Sequence, residues 1–184
     1  MPRILFVIGS LREKSFNRQL AREAERIIAA RAEVRFLDYA DIPFLNQDIE
    51  FPAPDAIERV RAEVQAADAL WIFTAEYNYQ IPGMLKNLLD WLSRPLVKND
   101  WTSGSAIGGK IATIAGVGGK NATAGVRKSL AALLASINVK VDAGEGTGVA
   151  VDDNAWVTDV ATYSDDTLAA ISAQADELIA TLAS

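Results

Sequence analysis

The chain has 184 residues, of which 50% are hydrophobic and 23% charged, which fits one soluble globular domain and excludes a largely disordered chain. Its formal net charge of −6 argues against a nucleic-acid partner, because binding to a phosphate backbone relies on clustered lysine and arginine. Cysteine and histidine are both absent, which excludes disulfides, thiol and Ser-His-Asp catalysis and the usual zinc sites, so any reaction must use carboxylates, Lys, Tyr or a bound cofactor.

The first predicted element is a strand buried on both faces. Ile4–Ile8 is a continuous apolar run of strand length that leads directly into a polar loop. The run is too short for the hydrophobic region of a secretion signal, and no segment approaches the length of a membrane span. We therefore expect a cytoplasmic protein that has no membrane partner.

The loop Gly9–Asn17 joins this strand to the first helical pattern. A strand, a polar loop and a helix N-terminus bring backbone N–H groups and the positive helix end to one point, which favours anion binding. Ser10, Ser15 and Asn17 add short donors, and Arg12 adds a planar cation suited to phosphate. We interpret the loop as a phosphate cradle for a mononucleotide. The alternative is that Ser15 only caps the helix and Arg12 is a solvated surface charge.

Strands and helices alternate along the rest of the chain. Further strands are predicted over Glu33–Asp38, Ala69–Phe73, Lys110–Ala115 and Asn138–Val141, and helical patterns over 16–28, 55–67, 82–94, 126–137 and 165–182. The stretch Tyr39–Pro54 contains three prolines and is predicted to be an irregular loop. This alternation indicates an α/β fold with a doubly wound parallel sheet and helices on both faces.

Three distinctive loops follow predicted strands: Ser10–Asn17, Glu76–Gln80 and Gly116–Gly119. Ligands of such sheets bind beyond the carboxyl ends of the strands, so we expect these loops to form one site. The second loop combines backbone donors with Tyr77 and Tyr79, flat side chains that could enclose a planar heterocycle. The alternative is that both tyrosines are ordinary half-buried aromatics. Together with the phosphate loop, they favour a nucleotide-like cofactor with one anionic and one planar end.

Two glycine-rich motifs are misleading. Gly104–Lys110 spells most of a P-loop, but Ile111 stands where a magnesium-ligating Ser or Thr is required and a strand follows instead of a helix. Gly116–Gly118 begins a dinucleotide fingerprint, but Asn121 occupies the third glycine position and the motif follows the fourth strand. We assign three tryptophans to the core or to an interface: Trp71, Trp91 and Trp101.

Three segments together resemble the NADPH-dependent FMN reductase family: Gly9–Asn17, Ala75–Asn87 and Asp90–Pro95. The similarity extends over nearly the whole chain and is nearest to the bacterial quinone and chromate reductases. It implies a single flavodoxin-like domain over residues 1–184, with a five-stranded parallel sheet in the order 2-1-3-4-5. It also implies non-covalently bound FMN and a homodimer or homotetramer.

The resemblance also implies roles for individual residues. Ser10, Arg12, Ser15, Phe16 and Asn17 would hold the phosphate, Glu76, Tyr77, Asn78 and Tyr79 would line the isoalloxazine ring, and Gly116, Val117, Gly118 and Gly119 would close its pyrimidine side. No side chain is assigned as an obligatory acid or base, and no metal site is expected. Two departures stand out: Ala75 replaces the usual proline, which would loosen its turn, and Ala115–Val117 lacks hydroxyl residues, so the third loop would contribute mainly backbone contacts.

The implied activity is hydride transfer from NADPH or NADH to FMN, followed by electron transfer to a second acceptor. Quinones are the first candidate acceptors, and free flavin, azo compounds and chromate are further ones. Cofactor chemistry would explain how a chain without cysteine and histidine works as an enzyme. The alternatives are a non-enzymatic electron carrier of flavodoxin type, which the acidic balance would suit, and a nucleotide-binding module without flavin.

Overall fold

A computed structural model describes all residues from Met1 to Ser184. The strands are β1 (Arg3–Gly9), β2 (Glu33–Phe36), β3 (Ala69–Thr74), β4 (Pro95–Val97), β5 (Asp100–Ser105), β6 (Ile111–Gly118), β7 (Lys140–Val141) and β8 (Thr147–Ala150). The helices are α1 (Phe16–Ile28), α2 (Asp55–Ala66), α3 (Gly83–Leu92), α4 (Ala124–Ser136), α5 (Asp153–Thr158) and α6 (Asp165–Ala183), and Gln47–Ile49 forms a short 3-10 turn. None of the helices has the length and apolar character needed to cross a membrane.

One parallel sheet organises the molecule. Its strands lie in the spatial order β2-β1-β3-β6-β7, and β8 also pairs with β6. The central strands β1 and β3 are buried along almost their whole length, because helices cover both faces of the sheet. The predicted doubly wound α/β architecture is therefore confirmed.

Each face of the sheet has its own hydrophobic core. On one face, beneath α1 and α6, three aromatic rings from β1 and β3 pack with centroids 5.0 to 5.5 Å apart: Phe6, Trp71 and Phe73. On the other face, Leu5 and Ile72 pack with side chains from α2, α3 and α4. The alternation of side chains along each strand feeds both cores. These cores hold the strand ends, and so the loops that follow them, in fixed positions.

The expected count of five strands is wrong, because two short strands occupy the fifth position. Both β7 and β8 pair with β6, and the chain leaves the sheet between them. In that break Ala143 and Gly146 have φ angles of 57° and 62°, which a continuous strand does not allow. Gln174 of α6 fills the resulting gap, and its Nε2 donates a hydrogen bond of 2.7 Å to the carbonyl oxygen of Ile114.

The structure also contains a hairpin that the sequence analysis did not predict. β4 and β5 pair antiparallel as a separate two-stranded sheet, so the numbering of the main sheet differs from the expected order 2-1-3-4-5. Pro95, which was expected only to stop α3, begins β4. Asn99 lies in the connecting turn with a φ of 61°. The available signal was the polar run Lys98–Asp100 between the strand-forming pairs Leu96–Val97 and Trp101–Thr102. Trp71 and Trp91 are core residues, whereas Trp101 of this hairpin is 70% exposed.

The break between β7 and β8 generates a stability prediction. Gly146→Ala should lower the free energy of unfolding by roughly 3 kcal/mol or more. Gly146 has a left-handed φ of +62°, and a Cβ added to it would lie 1.7 Å from the carbonyl oxygen of Ile114. Gly144→Ala is the matched control: its φ of +59° is similar, but the added Cβ meets no atom within 4 Å. The control should lose only about 1–2 kcal/mol. Equal losses in denaturant unfolding would contradict the clash.

Candidate functional site

Three loops meet at the carboxyl edge of the sheet, after β1, β3 and β6. They surround a cavity of about 140 Å³. The cavity is lined by Ser10, Arg12, Ser15, Phe16, Asn17, Ala75, Glu76, Tyr77, Val117, Gly118, Gly119, Asn121 and Trp156. The structure thus brings the predicted site residues around one cavity, except for Asn78, Tyr79 and Gly116.

The loop after β1 leaves hydrogen-bond donors facing the cavity. Ser15 occupies the N-cap position of α1, but its buried side chain makes no capping hydrogen bond. The alternative in which Ser15 serves only as a helix cap is therefore wrong. The first N–H groups of α1 have no partner within the helix, and the helix end carries a partial positive charge. This donor set suits an anion.

Arg12 lies at the rim of the cavity in a defined position. Its Nη1 donates a hydrogen bond of 2.5 Å to Oδ1 of Asp159, and its guanidinium carbon lies 4.9 Å from the centroid of the Phe16 ring. The hydrogen bond from Arg12, followed by the charges of Arg12 and Lys14, lowers the pKa of the Asp159 carboxyl below its usual value. Arg12, whose side chain is 43% exposed, is therefore a surface cation that an ion pair orients at the rim.

Asn17 joins the first loop to β6. Its Nδ2 donates to the carbonyl oxygen of Val117 at 3.1 Å, and the N–H of Val117 donates to its Oδ1 at 2.8 Å. Both bonds are buried, so each is well shielded from water. The second hydrogen of the Asn17 amide and the second lone pair of its Oδ1 are left for a ligand. The main contact of this side chain is thus a tie between two walls of the cavity.

The loop after β3 is a tight turn. Tyr77 and Gln80 exchange two backbone hydrogen bonds of 3.2 and 3.0 Å, and the central residues Asn78 and Tyr79 have φ angles of 52° and 63°. These angles are those of a type I′ turn, which places Tyr79 at an exposed tip outside the cavity lining. Tyr77 leans towards the first loop, and its hydroxyl donates to Oγ of Ser10 at 3.3 Å.

Glu76 connects this turn to the third loop. Its Oε2 accepts a hydrogen bond of 2.9 Å from the N–H of Val126 in the first turn of α4, and its Oε1 accepts one from Asn121. The N-cap residue of α4, Thr123, makes no side-chain cap of its own. Glu76 therefore caps α4 from another loop, and its negative charge suits the positive helix end.

The glycines of the third loop serve different purposes. Gly116 and Gly118 lie within β6, so the prediction that both belong to a loop is wrong. A Cβ on Gly116 would lie 2.2 Å from Oγ1 of the buried Thr123, and a Cβ on Gly118 would lie 2.8 Å from its Cγ2. Both glycines allow the turn to fold back onto the strand. Gly119, which follows the strand, has open space around its Cα and lines the cavity.

Sequence reasoning missed Ala75, Asn121 and Trp156 as lining residues. Trp156 lies on α5, and its ring packs edge-on against Phe16 with centroids 4.9 Å apart. No motif marks this part of the chain, and the tryptophan itself was the available signal. Contact with the first loop arises only when the chain returns to the sheet edge after β8.

The comparisons with known proteins identify the family. Residues 2–149 match the family described as NADPH-dependent FMN reductase. The chain belongs to this family. A quinone reductase from Pseudomonas putida is 36% identical to this FMN reductase family member over 128 residues, which cover 69% of this chain and 68% of that protein. The family membership makes the chain an oxidoreductase that works with FMN and NAD(P)H.

Two solved structures show the same fold. The flavoenzyme NAD(P)H:(acceptor) oxidoreductase FerB from Paracoccus denitrificans superposes with a TM-score of 0.86 at 24% identity, over 100% of this chain and 98% of that one. An archaeal flavodoxin superposes with a TM-score of 0.65 at 12% identity, over 99% of each chain. The fold of this FMN reductase family member is therefore flavodoxin-like, as the resemblance implied.

The tie made by Asn17 predicts a coupled loss of stability and binding. Asn17→Ala should lower the free energy of unfolding by about 1–3 kcal/mol, because it leaves the buried N–H and carbonyl of Val117 without partners. It should also weaken FMN binding about tenfold, because the two walls of the cavity are no longer joined. Denaturant unfolding and flavin titration measure the two effects.

Asn154→Ala, at an exposed position on α5, is the control and should change neither quantity. Loss of FMN affinity with unchanged stability would instead assign Asn17 to direct contact with the ligand.

Proposed function

We propose that residues 1–184 form a single cytoplasmic FMN-binding domain that passes electrons from NADH or NADPH to small acceptors, with quinones as the first class. The observation that carries this proposal is the cavity at the sheet edge, where the donor-rich loop after β1 faces a turn built around Glu76 and Tyr77. The two ends of this cavity match the phosphate and the ring system of a flavin mononucleotide. FMN would be held there without a covalent bond.

The donors of the first loop fit a phosphate group. Ser10 and Ser15 are buried hydroxyl residues beside the cavity, and the first N–H groups of α1 have no helical partner. Arg12 and Lys14 gather positive charge at the rim of a chain whose net charge is −6. Charge-assisted hydrogen bonds of this kind are strong, so the loop can hold a dianion against competition from water.

The opposite wall suits a flat ring with polar edges. Ala75, Glu76, Tyr77 and Gly119 offer backbone groups and one aromatic side chain to the cavity. The two reciprocal Tyr77–Gln80 hydrogen bonds support a closed turn with Ala75 in the place of the family's proline. We propose that these residues line the isoalloxazine ring, with Asn78 and Tyr79 at its outer edge.

The side chains around the cavity have structural partners and are not placed as acids or bases. Arg12 pairs with Asp159, Glu76 caps α4, and the Tyr77 hydroxyl donates to Ser10. When bound, FMN supplies the hydride and electron transfer. The protein binds and orients the reactants and excludes water, so no obligatory catalytic side chain is assigned.

The name of a relative supports a class of acceptor, and an exposed hairpin supports an assembly. The relative from Pseudomonas putida is named a quinone reductase, which favours quinones over free flavin, azo compounds or chromate. We also propose a homodimer or homotetramer. The apolar side chains of Val97 and Trp101 on the β4–β5 hairpin are largely exposed, as expected of a surface that a second copy covers.

Anaerobic mixing tests the proposed activity. FMN-loaded protein should lose its yellow colour rapidly on addition of NADPH or NADH, and a quinone should restore it. Initial rates should give parallel double-reciprocal lines, because donor and acceptor use one cavity in turn. An electron carrier would remain yellow with either nicotinamide, and intersecting lines would contradict successive use of the cavity.

A substitution at the rim tests the phosphate assignment. Arg12→Ala should weaken FMN binding by about 1–3 kcal/mol, the range of a charge-assisted hydrogen bond. Arg22→Ala is the matched control, because Arg22 lies on the same loop-helix unit but pairs with Glu25 and covers Phe36. Riboflavin, which lacks the phosphate, should bind equally to the unaltered protein, to Arg12→Ala and to Arg22→Ala. Unchanged FMN affinity in a titration of Arg12→Ala would remove Arg12 from the site.

A further inference from the structure

The residues that follow the family match cover one end of the cavity. The match ends at residue 149, and the segment Asp153–Tyr163, which we call the cover segment, consists of α5 and the turn that leads to α6. Trp156 of this segment lines the cavity. The cover segment therefore belongs to the site although it lies outside the matched region.

Hydrogen bonds fasten the cover segment to α1. Nε2 of Gln19 donates to the carbonyl oxygen of Asp159 at 2.9 Å, and Oε1 of Gln19 accepts from the N–H of Ala161 at 2.9 Å. The hydroxyl of Tyr163 donates to the carbonyl oxygen of Phe16 at 2.7 Å. These bonds hold the segment across the N-terminus of α1, where the phosphate of the proposed cofactor would lie.

Two side chains of the cover segment act directly on the phosphate loop. The Asp159 carboxylate pairs with Arg12 at 2.5 Å and with Nζ of Lys14 at 3.6 Å. Trp156 packs against Phe16, whose ring also lies beneath the Arg12 guanidinium. The loop cations and the Phe16 ring are thereby joined to the segment that covers them.

FMN and FAD differ at this end of the molecule. FMN terminates in its phosphate, whereas in FAD the same phosphate carries an adenylate group that must continue outwards. An adenylate leaving the first loop would have to pass the cover segment, and its passage would separate Asp159 from Arg12 and Trp156 from Phe16. We propose that Trp156 and Asp159 are specificity-determining residues that restrict the site to the mononucleotide. This inference rests on the proposed binding of FMN.

Trp156 and Asp159 can be substituted without disturbing the local backbone. Asp152 caps α5 by accepting a hydrogen bond of 2.8 Å from the N–H of Ala155, so the helix does not depend on Trp156 for its start. Asp159 has a φ of 61°, a left-handed conformation that asparagine adopts as readily as aspartate. Asp159→Asn therefore removes the charge while it keeps the turn.

A competition experiment tests the proposal. The flavin-free protein is incubated with equal excesses of FMN and FAD, separated from free flavin, and the bound flavins are released and quantified by chromatography. The unaltered protein should retain FMN over FAD by more than about tenfold, and the double variant Trp156→Ala/Asp159→Asn should lower this ratio by about tenfold. The single variant Asp159→Asn should give a smaller change in the same direction.

Val157→Ala is the matched control, because Val157 follows Trp156 on α5 but is 84% exposed. This variant should retain FMN and FAD in the same ratio as the unaltered protein. If the cover segment had only a structural role, the double variant would bind both FMN and FAD more weakly and the ratio of bound FMN to bound FAD would not change. That result would overturn the proposal. Equal uptake of FMN and FAD by the unaltered protein would also overturn it, while flavin binding would stand. Uptake of neither flavin would contradict the proposed function itself.

Discussion

The two buried hydrogen bonds between Asn17 and Val117 are the constraint on which the site depends. Asn17 lies in the first turn of α1, which follows β1, and Val117 lies on β6. The strands β1 and β6 are not neighbours, because β3 lies between them in the sheet. Asn17 therefore spans the end of β3 and fixes the distance between the outer walls of the cavity. The Tyr77–Ser10 bond and the Glu76 cap of α4 then attach the middle loop to both sides. Each wall is positioned by the other two, so the cavity can be formed before a ligand arrives.

Close packing and unusual backbone angles accompany these ties. Asn78, Tyr79, Ala122 and Thr123 all have positive φ angles between 46° and 63° and lie in the turns after β3 and β6. Such conformations cost of order 1–3 kcal/mol each for residues other than glycine, and they persist only where the surroundings determine them. Here the surroundings are the two cores on either side of the sheet, which hold the strand ends rigidly. These four of the eight non-glycine residues with positive φ thus lie at the edge of the sheet where the ligand is expected.

The parts of this arrangement that sequence could predict are those set by local pattern. Apolar runs and amphipathic stripes predicted the main strands and helices, and the rule that parallel strands end at one edge brought the three loops together. What the sequence could not show depends on contacts between distant residues. Arg12 and Asp159, which form an ion pair, are 147 positions apart. Thr123 packs against Gly116 because the turn after β6 folds back onto the strand. Gln174, which hydrogen-bonds to Ile114 beside the break in the fifth strand, also comes from a distant part of the chain.

The charges of the site explain how an acidic chain can hold an anion. Arg12 and Lys14 are the cations nearest to Asp159, and their attraction keeps that carboxylate ionised, as the lowered pKa of Asp159 indicates. A phosphate placed at the first loop would share these cations with Asp159. The carboxylate would then hold the guanidinium in place while the remaining N–H groups of Arg12 face the ligand. Orientation of a cation by a neighbouring carboxylate lowers the entropy that binding must overcome, so a flexible surface arginine becomes part of a preformed site.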